Sequence, residues 1–585
     1  MSIKDNFPIV SPSLNLSFAL TKVLDSRITF SRPTSAVYYD GQTVTKAEQN
    51  LFSYSQEFDE AGWGKTNATV TANTTTAPDG TTTADTLTGN GTTGLHSVYK
   101  AFPITSTVKV FSIYAKANDN NFIQILYGTD SSPFANFDLS TGTVGSTGTN
   151  ITASIIDIGN GWYRCICVTT SAVINSVYVM LAASSTDTRA QSNSLSTSVY
   201  LWGAQLEARD TVTAYTPTTT QPITNYIPTL LTAPSNTARF DHNPVTGESL
   251  GLLVEEQRTN LLLQSENVTS SPWGKTVLGT STRVQSGWSA GFNIAQIIAT
   301  SANGGLRQSV FSLASGQVYT LSFFLASTLT NVAINAENSA SSYGSFMSAS
   351  INAVTGAVSI TAGFTSASSY ALGNGWVYQF TLPPAGGLLY LSLELRAATI
   401  NVPFYLGRFQ LEAGAFPTSY IKTQASQVTR SADSASMTGA NFSDWYRQDE
   451  GSIYTEAKTA LVSSVALLYG LSNAQLSNQN VIYSNTALVS HLVVRINSLT
   501  TVNLDGGSYV DNVYSKVCGA YKVNDFAVSL DGNAVSTDTD SVLPSIDRMF
   551  IGASTTGAVV GQQYIRKLSY YPQRLSNTNL QALTS

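Results

Sequence analysis

Charge is the first scarcity. Lys, Arg, Asp and Glu make up 11% of the 585 residues, against ~25% in an ordinary globular protein. A net charge of −6 leaves no basic footprint, which argues against nucleic acid as a partner. Cysteine is scarcer still. Cys165, Cys167 and Cys518 cannot make a disulfide framework, and the first two share one face of one apparent strand. They read as small core or surface residues of a chain made in a reducing cytosol. The three histidines, His96, His242 and His491, lie in separate segments, and no His-x-x-x-His or Cys-x-x-Cys spacing supports zinc. No apolar run approaches the ~18 residues that span a bilayer. MSIKDNFPIV does not lead from a basic start into the apolar stretch of a signal peptide. The expectation is a soluble chain, made in the cytosol and not inserted in a membrane.

Ser, Thr, Asn and Gly take the place of charge. Hydrophobic residues at 42% and aromatics at 10% are ample for burial, and the length suggests roughly three or four domains. Much of that length is said twice. NLFSYSQEFDEAGWGKT begins at Asn50 and NLLLQSENVTSSPWGKT at Asn260, an offset of 210 positions. Phe137–Val144 answers Ile351–Val358, and Gly159-Asn160-Gly161-Trp162 answers Gly373-Asn374-Gly375-Trp376, both at 214. Tyr200-Leu201 with Gln205-Leu-Glu-Ala208 answers Tyr405-Leu406 with Gln410-Leu-Glu-Ala413, at 205. Drifts of this size are what loop insertions produce. Two homologous modules of roughly 165 residues follow, each large enough for its own core.

Both modules read as β. Val108–Ala115, Tyr319–Leu325, Trp162–Thr169 and Ser198–Trp202 are dense in β-branched and aromatic residues. Turn signals punctuate them at Pro78-Asp79-Gly80, Ser140-Thr141-Gly142, Gly159-Asn160-Gly161 and Pro384-Ala385-Gly386. The Gly-Asn-Gly-Trp element predicts a tight hairpin feeding a strand whose first residue plugs the core. Many short strands so punctuated make a two-sheet sandwich or jelly roll. From about residue 430 a third sandwich is expected. Phe526–Leu530 runs into an Asp531-Gly532 turn, and one short helix follows Pro572, with Ser576 as N-cap and Leu575 stapled to Leu580. The fold class expected is all-β, three tandem β-sandwich domains and one short C-terminal helix.

The stretch Tyr521–Gly532, followed by Ile565–Ser576, resembles the concanavalin-A-like (laminin-G-like) lectin domain at the ends of tailed-phage virion proteins. Arg239–Leu261 is similar to a stretch common in phage fibre and head-spike proteins, as are Ser13–Phe18 and Arg27–Arg32. The two modules look like the carbohydrate-binding-module-like jelly rolls of the same proteins. In those relatives the segment like Arg27–Arg32 is followed soon by the one like Arg239-Phe-Asp-His242; here module one stands between, which suggests duplication and insertion. The division expected is an N-terminal virion-attachment arm (1–45), jelly roll one (46–218), a connector (219–258), jelly roll two (259–422) and a lectin-like domain (430–585). The resemblance implies a non-enzymatic virion protein assembled in the host cytoplasm. It would be a tail fibre or receptor-binding appendage, a homotrimer, attached to other virion proteins through residues 1–45 and meeting host-surface polysaccharide distally. A capsid-attached head fibre is the alternative, and a polysaccharide depolymerase a third reading.

Catalytic motifs fare poorly. Gly89-Asn-Gly91-Thr-Thr-Gly94 spells a dinucleotide fingerprint but sits in a Thr-rich loop without a βαβ unit. Gly287-Trp-Ser289-Ala-Gly291 spells a nucleophile elbow, yet module one has no serine there, so Ser289 reads as a turn residue. Glu207 and Glu412 recur at each module's closing strand, which a structural hydrogen bond or a calcium contact explains better than a glycosidase acid pair. Aromatic rings match the apolar face of a pyranose. Trp445, Tyr446, Tyr509 and Tyr514, at loop edges of the terminal domain, are the candidate glycan readers. Asp505, Asp511 and Asp525 are candidate ligands should structural calcium be present; no other cofactor is implied.

Overall fold

A computed structural model describes residues 10–585 apart from 103–107, 129–132, 172–174, 211, 214, 275–280, 290–291, 312, 338–345, 374, 385–389, 461–465, 474–476, 485–488 and 555–560. The chain is nearly all antiparallel β, with helices among the described residues only at Phe18–Thr21, Ala440–Ser443 and Asn577–Thr584. The last has the expected cap, Ser576 Oγ accepting from Asn579 N, and Leu575 and Leu580 share one buried cluster.

Module one is a sandwich of two six-stranded sheets, and module two of a six- and a five-stranded sheet. Inward-facing apolar side chains fill each: Phe111, Ile113, Ile123, Ile125 and Val179 in the first, Phe323, Ile334, Leu395 and Leu411 in the second. The Asp157–Trp162 hairpin forms as expected, with Asn160 and Gly161 both at positive φ, the pair a type I′ turn requires. Its tryptophan does not plug the inter-sheet core. Trp162 is buried on the outer side of the sheet with Tyr114 and Trp202. Trp376 is half-buried, because its strand pairs one position differently: Trp162 opposes Lys116, whereas Trp376 opposes Leu325. Ser289 ends the strand Ser281–Ser289 rather than lying in a turn. Gly291 and the expected turn at 385–386 fall outside the described residues, as do 275–276 of the repeated motif.

The third sandwich departs from the linear division. Its eight-stranded sheet contains Leu14–Leu16, Arg239–His242 and Ser249–Glu255 beside Gln562–Tyr571, Glu450–Ala460 and three further C-terminal strands. Its seven-stranded sheet begins with Thr29–Ser31, paired to Ser434–Thr438. Leu14, Leu16, Phe18, Ile28, Leu252 and Val254 belong to the same core as Ile453, Val528 and Leu568. The segments read as a separate arm and a connector are therefore partly strands of the terminal sandwich. Their apolar alternation is satisfied only against partners hundreds of positions away.

Both modules leave this sandwich and return to it on two-stranded antiparallel stems. Val44–Asn50 pairs Ile223–Pro228, and Ala36–Tyr38 pairs Leu231–Ala233, at the base of module one. Arg258–Asn260 pairs Val428–Arg430 at the base of module two. A buried ionic cluster ties the stems to the sandwich. Asp433 accepts from Arg32 Nη1 at 3.0 Å and Arg239 Nη2 at 2.7 Å, and Glu255 from Arg239 and Arg430. All five side chains are at most 2% exposed. Burial pushes the Glu255 carboxyl up, but the Arg430 and Arg239 guanidiniums outweigh it and hold it at about 2.

Candidate functional site

The repeated motifs face one another across each module. Asn50 donates from Nδ2 to the carbonyls of Ala204 and Thr216, and its Oδ1 accepts from Phe52 N and Leu206 N. Asn260 does the same with Phe409 and Ile421, Leu262 and Leu411. Glu207 accepts from Thr213 N and Oγ1, and Glu412 from Thr418 N and Oγ1. Gln205 and Gln410 each donate to the glutamate two residues on. Both glutamates are buried, which raises their pKa above the ordinary value. They have structural hydrogen-bonding roles: the NL…QLE repeat is a polar clasp that joins the opening and closing strands of each jelly roll.

The residues singled out in the terminal domain do not assemble into a glycan surface. Trp445 is 3% exposed, with its Nε1 donating to Asn441 O and its ring 5.0 Å from Tyr570. Tyr446 stacks on Phe442 at 4.6 Å and packs against the core. Tyr509 also packs against that core. Tyr514 donates to Leu250 O, and the Arg566 guanidinium covers its ring at 3.5 Å. Loop position misled here, because Trp445, Tyr446 and Tyr509 pack into or against the core and Arg566 covers Tyr514. Asp505 accepts from Gly507 N, Asp525 pairs with Arg574, and Asp511 is exposed elsewhere. Among the described residues no group of three or more His, Cys, Asp or Glu side chains gathers as a metal site. The three cysteines are free and buried, and burial pushes their thiols up.

A cleft of about 780 Å³ opens instead between the two modules, within the ~300–1,000 Å³ range of small-molecule sites. Module two is seated on the stem of module one by Ile227, which is buried among Phe292, Phe324 and Val377. That contact places Tyr405 and Gln296 opposite the outer sheet face of module one. There Tyr114, Trp202 and Tyr215 form a packed aromatic group, with centroids 5.2 Å apart for Tyr114–Trp202 and 4.7 Å for Trp202–Tyr215. Trp202 Nε1 donates to Thr83 Oγ1, and Gln296 Nε2 to Tyr405 Oη. Arg164 lies over the Tyr114 ring at 5.3 Å. Among the described residues Asp79 is the only carboxylate in the cleft lining.

Neither Trp202 nor Arg164 stood out in the sequence, although the repeat carries a signal for both. Trp202 and Arg164 oppose Tyr114 in register, and in module two Gly407 and Val377 hold those places opposite Phe324. The clasp residues are the same in both copies, while Trp202 and Arg164 of the cleft have no like residue in module two.

No family model matches the chain, and no curated protein does. Among solved structures it is similar to the Ruminococcus gnavus IT-sialidase CBM40 bound to alpha2,6 sialyllactose, at 16% identity and a TM-score of 0.22, over 24% of this chain and 84% of that one. A tandem CBM22 domain of Paenibacillus barcinonensis is 14% identical with a TM-score of 0.19, over 63% of this chain and 99% of that one. Mouse laminin alpha1 domains LG4-5 are 10% identical with a TM-score of 0.18, over 48% of this chain and 88% of that one. Likenesses at these scores decide nothing about function.

Proposed function

We propose that the chain is a non-enzymatic virion protein of a tailed phage, a tail fibre or receptor-binding appendage that holds host-surface glycans. The observation that carries the binding part is the inter-module cleft: the half-buried rings of Tyr215 and Tyr405, which match pyranose faces, beside Gln and Asn amides that match hydroxyls. Among the described residues its lining holds one carboxylate, Asp79, which favours binding over hydrolysis, since hydrolysis needs an acid pair. The phage setting is supported by the resemblance of Arg27–Arg32, Arg239–Leu261 and Tyr521–Gly532 to phage appendage sequences. Attachment to other virion proteins is proposed through residues 1–45, of which Leu14–Leu16 and Thr29–Ser31 are strands of the terminal sandwich. A homotrimer would present three clefts, and several weak contacts on one particle raise avidity without a tight single site.

The test is adsorption of phage to host cells preincubated with the purified chain. Dose-dependent blocking is the expected outcome. Undiminished adsorption at saturating protein would overturn the receptor-binding assignment and favour the capsid-attached fibre, which antibody labelling of particles would then locate.

A further inference from the structure

We infer that the cleft is built for an acidic glycan, whose carboxylate docks on Arg164; this rests on the glycan-binding reading above. Arg164 is 4% exposed. Its Nε and Nη2 both donate to Ser112 Oγ, at 3.2 and 2.9 Å, and its Nη1 to Thr213 O at 2.9 Å. Every one of these acceptors is neutral. No Asp or Glu oxygen among the described residues lies within 4 Å of the guanidinium, whereas the other fully buried arginines, Arg32, Arg239 and Arg430, each hold a carboxylate. The nearby Glu207 is already engaged by Thr213, Gln205 and Arg209. Asp79, on the cleft wall, is engaged by Thr81.

A buried cation without a counter-ion is costly, and a ligand carboxylate on Arg164 would offset that cost. A guanidinium has five N–H groups. Three serve Ser112 and Thr213, which leaves one N–H on Nη1 and one on Nη2 to donate to a carboxylate. The Tyr114 ring and Ser112 fix the plane of the fork. The half-buried rings of Tyr215 and Tyr405 supply the apolar walls for the rest of the sugar. Module two carries Val377 in the corresponding place, so the charge belongs to the cleft and not to the fold.

The experiment is calorimetric titration of the full chain with trigalacturonate, a sialyl trisaccharide, the methyl esters of both, and neutral maltotriose and xylotriose. At least one acidic sugar is expected to bind, to lose tenfold or more on esterification, and to weaken with salt. Thr328→Trp, an exposed cleft-wall residue, should abolish that binding while leaving the melting temperature unchanged. Arg164→Gln should lose the preference for acid over ester. Equal affinity for acids and esters would overturn the acidic assignment and leave the glycan reading standing. Acid-selective binding that survives Thr328→Trp would overturn the placement. Absence of binding by all six sugars at millimolar concentration would overturn both. The acid–ester comparison uses the unaltered chain and stands even if Arg164→Gln fails to fold.

Discussion

Asn50 and Asn260 each satisfy four backbone groups that are otherwise buried without partners. Asn260→Ala should destabilise module two by about 3 kcal/mol, because the orphaned carbonyls and amides keep their desolvation cost. Asn50→Ala should cost module one about as much; urea unfolding followed by Trp273 or Trp63 fluorescence would measure each. Titratable residues give a second expectation. Burial raises Asp85 and Asp241 from 3.8 to about 6, so between those values the folded chain binds more protons than the unfolded one. Stability therefore rises as pH falls through that window. Glu255 is held at about 2 instead of 4.5. Its contribution is present above 4.5 and is lost as pH falls towards 2. The melting temperature should pass through a maximum near pH 4–5, and Asp85→Asn should flatten the neutral side of the curve; a scan from pH 2 to 8 checks both.

At the level of elements, local patterns were legible and distant pairings were not. The Asn160-Gly161 turn, the Ser576 cap and the alternating strands of both modules need only neighbours in sequence, and each stands where the residues put it. The strands Leu14–Leu16 and Ser249–Glu255 are just as apolar, but nothing local says which sheet receives them. The consequence is testable. A fragment of residues 430–585 lacks the strands Leu14–Leu16 and Ser249–Glu255, which pair along one edge of Gln562–Tyr571, and it leaves the core residues Ile565, Leu568 and Tyr570 of that strand without their neighbours. It should be aggregated or molten by proton NMR and near-UV circular dichroism. A chain that keeps residues 10–585 but replaces 51–222 with a short turn between Asn50 and Ile223 should retain the terminal sandwich.

At the scale of the whole molecule, the cleft was illegible for a related reason. It belongs to no single stretch but to the meeting of two copies of one module, and only positions where the copies disagree hint at it. The terminal sandwich has a consequence in time. Asn15 and Ser569 touch across 554 positions. At about 5–20 residues per second of synthesis, the first strand waits roughly half a minute to two minutes for its partner. Each jelly roll can close on its stem while the ribosome is still working, whereas the first-made strand pairs only with the last-made one. Leu14, Leu16 and Phe18 spend that interval without their core, and it is there that a chaperone would be needed.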